Sequence, residues 1–376
     1  MSISRPGAGR RSAATSWFRS NGKKADEWRR RRQRSKAATA EWRSRMAAEH
    51  SQQVEQAIAK VKSLRDGDLG VVDAVACGDQ AVPSLRAMLF ERERSGLYQA
   101  RRRAVEALAA LGAHHVLTEF LEGERAIADP VERVGEDVVV DAAALALANL
   151  GGPHAFDLLL RLARRRSTPG VISALGAFRD VEAIPALIEA LKEDASRPAA
   201  KAALRKLGLA TRPALLRAVG ATPPPGERES ESNARRRRCA LRLLTEIDGS
   251  RAVWRDLRPF ARDEDATVAA LACAIGLSRA PAAERLGVAR RLIELLAKDD
   301  SLLRDEIERC LVARFGSARD AIAQRLAEIP QPGEDGVERM RVEASLRRVV
   351  AQAQSSPKAR PRRLRNPVDP IEPRRR

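Results

Sequence analysis

With 376 residues, 44% of them apolar, the chain is long enough for two ordinary domains or one extended array and too apolar to be disordered throughout. Aromatics at 3%, with 23 Gly and 20 Pro, leave few of the side chains that strands favour, which argues against a β-sandwich or barrel. Four scattered cysteines with no C-x-x-C pair supply neither a disulfide framework nor a zinc site, and the formal charge of +19 is carried mainly at the ends: +11 in residues 1–66, +6 in residues 353–376 and only +2 between them.

Residues 1–41 read as a basic, largely disordered or projecting arm. The first 25 residues contain no acid and mix Arg, Ser, Gly and Ala, too little apolar surface to order themselves. Arg10 and Arg11 are followed by no apolar run, so export is rejected, although the composition is also that of an organelle transit peptide. Trp28, Arg29, Arg30, Arg31, Arg32 and Arg34 form a run whose charge covers every side of a helix, so it projects into solvent. Trp17, Trp28 and Trp42 interleave with arginines, a pattern that can stack on bases while neutralising phosphates. An acidic protein partner, a nucleic acid and an anionic membrane surface all suit such an arm, the membrane least.

Trp42, Met46, His50, Val54, Ile58 and Val61, with Leu64, make one face of a helix over 42–66 that ends at Asp66-Gly67-Asp68, expected as the N-terminal capping helix of a longer helical body. Residues 67–352 then repeat a helical punctuation. Gly112, Gly151, Gly208, Gly249 and Gly316 each follow an apolar helix ending, and Phe178-Arg179-Asp180 and Leu277-Ser278-Arg279 split the longer gaps, giving a unit of about 30 to 40 residues. Val82-Pro83 through Leu111-Gly112 is one such unit, and its second helix opens on Arg101, Arg102 and Arg103. The longest charge-free apolar stretch, Ala142 to Phe156, is 15 residues with Gly-Gly-Pro inside it, too short and broken to cross a bilayer.

The clearest unit starts at Asp180. Ile184, Leu187, Ile188 and Leu191 fall on one face of a first helix, with Pro185 in its first turn, where a missing N–H breaks no bond. Asp194 to Pro198 turns the chain, Ala199, Ala203, Leu204 and Leu207 stripe a second helix, and Gly208 ends it. Ile184-Pro185-Ala186-Leu187, Asp194, Ala202-Ala203-Leu204 and Leu207-Gly208 resemble HEAT-type repeats, in particular the short bacterial variety of phycobilisome-lyase-like proteins, and Asp263, Asp265, Val268 and Leu271 match the same turn and second helix further on. The resemblance implies an all-α, right-handed α-solenoid of HEAT-like two-helix repeats over about 67–352, with disordered basic termini. Each hairpin has apolar stripes on more than one side and must stack to cover them.

A loop with Pro223 to Pro225 and Glu227 to Glu231 precedes a second basic cluster, Arg235, Arg236, Arg237 and Arg238. In HEAT-like arrays second helices tend to line the concave face. Arg101 to Arg103 and Arg235 to Arg238 are therefore candidate anion or partner contacts, against the plainer possibility of solvated faces paired with the neighbouring acids. Acids at Glu119 to Glu124 and Asp299 to Glu308 interrupt a continuous basic stripe.

Chemistry is scarce. No Walker loop, dinucleotide fingerprint, H-E-x-x-H or G-x-S-x-G occurs, and His50, His114, His115 and His154 have no partners at metal-ligand spacing. Cys239, Cys273 and Cys310 recur near the repeat length, as small buried packing residues would. Some HEAT-like proteins are DNA glycosylases, for which Trp254 with Asp256 is the only tempting pair here, but Trp254, Leu257 and Ala261 lie on one helix face and point to a core role. The resemblance assigns no residue to chromophore-lyase chemistry. Residues 353–376 read as a disordered basic tail. The expectation is a cytoplasmic, non-catalytic scaffold without cofactor or metal that binds a macromolecule, most simply a protein. A nucleic-acid-associated HEAT protein is the alternative, and a HEAT-like DNA glycosylase a more distant one.

Overall fold

The computed structural model describes residues 39, 41–91, 98–123, 127–223, 226–328 and 336–355. Trp17, Trp28, Arg29 to Arg32, Arg34 and most of the C-terminal tail lie outside them. The described residues form helices joined by turns, with no strand among them. The fold is an all-α solenoid, built as two compact units that divide between Leu147 and Ala148.

In the first unit, α1 (residues 41–62) runs into α2 (Gly67–Ala76), followed by α3 (Val82–Phe90), α4 (Gln99–Ala110), α5 (His114–Glu122) and α6 (Pro130–Leu150), whose last turn crosses the boundary. The predicted stripe on α1 is buried only toward its end: Val54 and Val61 are covered and Ile58 is half-buried, whereas Trp42, His50 and Leu64 are exposed. That end packs on α2, where Gly70 sits so close to the Val61 backbone nitrogen that an added Cβ would come within 2.3 Å of it. Lys60 Nζ bonds Asp73 Oδ2 at 2.6 Å across the same contact. Second helices α2 and α4 pack together, as do α3 and α4 within a hairpin.

The second unit contains α7 (Pro153–Arg165), α8 (Pro169–Ala177), α9 (Ile184–Glu189), α10 (Arg197–Leu207), α11 (Arg212–Gly220), α12 (Glu231–Ile247), α13 (Ala252–Leu257), α14 (Ala266–Arg279), α15 (Ala282–Glu294), α16 (Ser301–Ala313), α17 (Phe315–Ala327) and α18 (Gly336–Ser355). They pair as hairpins, and the second helices α8, α10, α12, α14, α16 and α18 each pack on the next. First helices do likewise where α7 meets α9, α9 meets α11 and α15 meets α17. Burial therefore accumulates interface by interface along the unit, the physics of a repeat array.

Local signals explain the element ends. Ile184, Leu187, Ile188 and Leu191 are all buried, Pro185 occupies the first turn of α9, and Ala203 and Leu204 are buried on α10. Ala203 faces α8, where a Cβ added to Gly176 would lie 2.4 Å from its own Cβ, so small residues set that spacing. Asp265 caps α14 by accepting from the backbone N–H of Thr267 and Val268. Gly112, Gly151 and Gly208 have left-handed φ of 72°, 76° and 60° after their helices. Gly316 departs from the expected punctuation: it lies in the first turn of α17. Between α8 and α9 the left-handed position is held by Arg179, with φ 55°, a conformation that costs a residue with a Cβ about 1 kcal/mol or more.

Candidate functional site

The two arginine clusters singled out in the sequence both sit in the opening turns of second helices, and the structure shows where their donors go. In α4, Arg101 is 7% exposed; its Nε bonds the carbonyl of Leu89 at 2.9 Å and its Nη1 meets Glu136 Oε2 of α6 at 2.5 Å. Arg103 reaches the other way, to Asp68 Oδ1 at 3.0 Å and the Ser63 carbonyl at 2.8 Å. Arg102 pairs along its own helix with Glu106 at 2.6 Å and keeps a partly exposed head.

The α12 cluster is used in the same way. Arg237, 1% exposed, donates to the Val219 carbonyl at 2.7 Å, to Glu229 Oε2 at 2.9 Å and to Asp263. Arg238 meets Asp265 Oδ2 at 2.7 Å and Glu231 Oε1 at 3.3 Å. Arg235 meets Asp194 Oδ1 at 3.0 Å, and Arg236 meets Glu189 Oε2 at 3.3 Å. One turn thus ties α12 back to the α9–α10 hairpin and forward to the start of α14.

A shared device emerges that the residue pattern did not disclose. Arg101, Arg197 and Arg237 each bond a carbonyl where the preceding first helix finishes: Leu89 in the last turn of α3, Leu191 in the short helical turn that follows α9, and Val219 in the last turn of α11. The last carbonyls of a helix lack intrahelical donors and carry the negative end of its dipole, so a guanidinium there satisfies both needs. The available signal was an arginine early in each second helix, but only the folded turn brings it onto that carbonyl.

Other charges bridge longer intervals. Arg205 of α10 meets Glu246 of α12 at 2.5 Å, Arg348 of α18 meets Glu308 of α16 at 2.6 Å, and Arg242 of α12 reaches Glu306 of α16 at 2.8 Å. The Arg205 hydrogen bond holds the Glu246 carboxyl below its usual value, and Arg86 does the same for Glu119. Burial pushes Glu308 upward, yet the Arg348 and Ser345 hydrogen bonds outweigh it and hold it low.

The remaining candidates are accounted for by packing. Trp254 is buried; its Nε1 donates to Glu284 Oε2 at 2.9 Å and its ring lies over Gly276. Asp256 is held by Arg212, which also meets Asp248 Oδ2 at 2.8 Å. Cys239, Cys273 and Cys310 fall on successive second helices, and burial pushes the Cys273 thiol up to about 12. Among the described residues no group of three or more His, Cys, Asp or Glu is placed to hold a metal ion, and no helix is long and apolar enough to cross a membrane.

The PBS lyase HEAT-like repeat family matches residues 139–165 and 170–193, the stretches that form the second half of α6 with α7, and α8 with α9. Those two stretches carry HEAT-like repeats. A solved structure, the complex of CpcE and CpcF of phycocyanin lyase from Nostoc sp. PCC7120, is similar at 22% identity with a TM-score of 0.29, over 71% of this chain and 94% of that one. A comparison with curated proteins finds no match. Among the described residues, the buried charge lies at the joints between helices.

Proposed function

We propose that this HEAT-repeat chain is a non-catalytic scaffold that docks a protein partner, with the basic segments 1–41 and 353–376 adding long-range electrostatic attraction. The observation that carries this reading is how the buried charge is used. Arg101 with Glu136, Arg237 with Asp263 and Glu308 with Arg348 each join neighbouring helices, which is framework duty. A reaction centre needs titratable groups gathered in a cleft and left free for substrate. Of the clustered arginines, Arg102, Arg235 and Arg238 keep the most exposed heads in partly open ion pairs, and any contact these clusters make with a partner falls to them.

The charge of the ends, +11 over residues 1–66 and +6 over residues 353–376, favours a second reading: sequence-independent hold on nucleic-acid backbone. Cross-linking and co-purification of the full-length chain from its native cells tests the two, beside a variant with Arg29 to Arg32 replaced by Gln. A discrete protein recovered with both forms, more weakly with the variant, supports the scaffold. Absence of any protein, with generic DNA bound tightly at low salt and released by the arm substitutions, overturns it.

A further inference from the structure

The arginines that remain open in the second unit are not the clustered ones. Arg251, Arg255, Arg258 and Arg262 are spaced four, three and four apart through α13 and the following turn Arg258–Arg262. That spacing puts them on one side, and all four are exposed while Val253, Trp254 and Leu257 on the opposite side are buried. Arg258 Nε is 3.6 Å from Glu284 Oε2 and Arg255 Nε is 3.7 Å from Asp256 Oδ1, both beyond hydrogen-bond length. The side chains of Arg251 and Arg262 make no hydrogen bond or ion pair with the described residues.

Arg258 and Arg262 overhang a groove of about 830 Å³ between this segment and α15. Its apolar surface comes from Trp254, Ala261, Gly287 and Val288. Its acids are already engaged: Glu284 accepts from the Trp254 indole, and Glu294 pairs with Arg291 at 2.9 Å. The groove therefore combines an apolar bed with an excess of positive charge. At Gly287 an added Cβ would meet nothing within 4 Å, so the space there is open.

We propose that this groove docks an acidic peptide segment of a protein partner, its carboxylates on Arg258 and Arg262 and an apolar side chain seated beside Gly287 and Val288. The inference rests on the scaffold reading and adds the surface and the chemistry of what it holds. A peptide suits the groove better than a nucleic acid. The open space beside Gly287 and Val288 takes an apolar side chain between the charges, and the Trp254 indole, only 4% exposed, offers no open face for a base to stack on. Arg251 and Arg255 extend the positive potential beyond the groove, where it steers an acidic partner in.

The test uses the full-length chain and a fluorescein-labelled octapeptide, Glu-Glu-Leu-Glu-Glu-Leu-Glu-Glu, followed by fluorescence anisotropy at low and physiological salt. Two variants are compared: the charge reversal Arg258→Glu with Arg262→Glu, and Gly287→Leu, whose Cβ enters open space. Each is expected to weaken peptide binding by about tenfold or more while helical circular dichroism and Tm stay at wild-type values. No binding to the wild type, or equal binding by all three proteins, overturns the proposal. Oligothymidine binding more tightly than the peptide, and lost on charge reversal, also overturns it in favour of a polyanion groove. A native protein partner recovered equally with wild type and both variants sinks the groove and leaves the scaffold standing. Peptide binding that responds to both variants, with no native protein ever recovered, supports the groove and sinks the scaffold.

Discussion

Two arginine quartets a few residues apart behave in opposite ways. Arg235 to Arg238 are contiguous, so they point around the whole circumference of α12. One of them is driven into the interior, and the others meet acids on flanking hairpins. Arg251, Arg255, Arg258 and Arg262 are dispersed, share one exposed side and keep their charge for something outside the molecule. A conspicuous run of charge in a repeat protein can thus be mortar, while an inconspicuous periodic one forms the surface.

The largest expected effect sharpens that contrast. Arg237→Ala leaves Asp263, Glu229 and the Val219 carbonyl without their donor in a closed site, and should cost about 3–5 kcal/mol in urea unfolding. Arg258→Ala, on an exposed arginine, should stay within about 0.5 kcal/mol by the same measurement. Equal losses would break the distinction between the quartets.

Next comes the small-residue seam. Ala203→Glu forces an uncompensated carboxylate against Gly176, and a loss of about 3 kcal/mol with a matching fall in Tm is expected. An unchanged Tm would show that α8 and α10 do not meet through these residues. A smaller change runs the other way: Arg179→Gly relieves the left-handed position between α8 and α9 and should raise stability by about 0.5–1 kcal/mol.

The smallest effect is on pH. Glu119 and Glu246 are held below the ordinary carboxylate value of 4.5, and Asp194, through its Arg197 hydrogen bond, below 3.8. Their folded forms bind fewer protons than the unfolded chain in that range. Their contribution is therefore complete above about pH 5 and drains away as pH falls through the lowered values. These pairs are largely solvent-exposed, so the expected signature is a shallow acid-side decline in Tm, made shallower still by Arg205→Gln, against a flat profile from about pH 6 to 8.

How much of this was legible in the residues differs from feature to feature. The helices of the Asp180 unit, the place of Pro185, the stop at Gly208 and the cap at Asp265 follow from contacts within a turn or two, and sequence periodicity records such contacts directly. Arg179 as a helix terminator was visible as a boundary, though not as a left-handed residue. The fate of the arginine clusters was only partly visible. Glu229 and Glu231, a few residues upstream, were foreseeable partners, whereas Asp263 is 26 positions from Arg237 and Glu136 is 35 from Arg101. The open row from Arg251 to Arg262 was written in plain spacing, yet nothing in it distinguishes a free face from a paired one.

By itself the sequence determined that this protein is all-helical and repetitive, and where most helices begin and end, because helix formation and capping depend on neighbours along the chain. Tertiary structure alone decided which charges hold the repeats together and which face outward. Burial and ion pairing are set by groups that come together only after the hairpins stack.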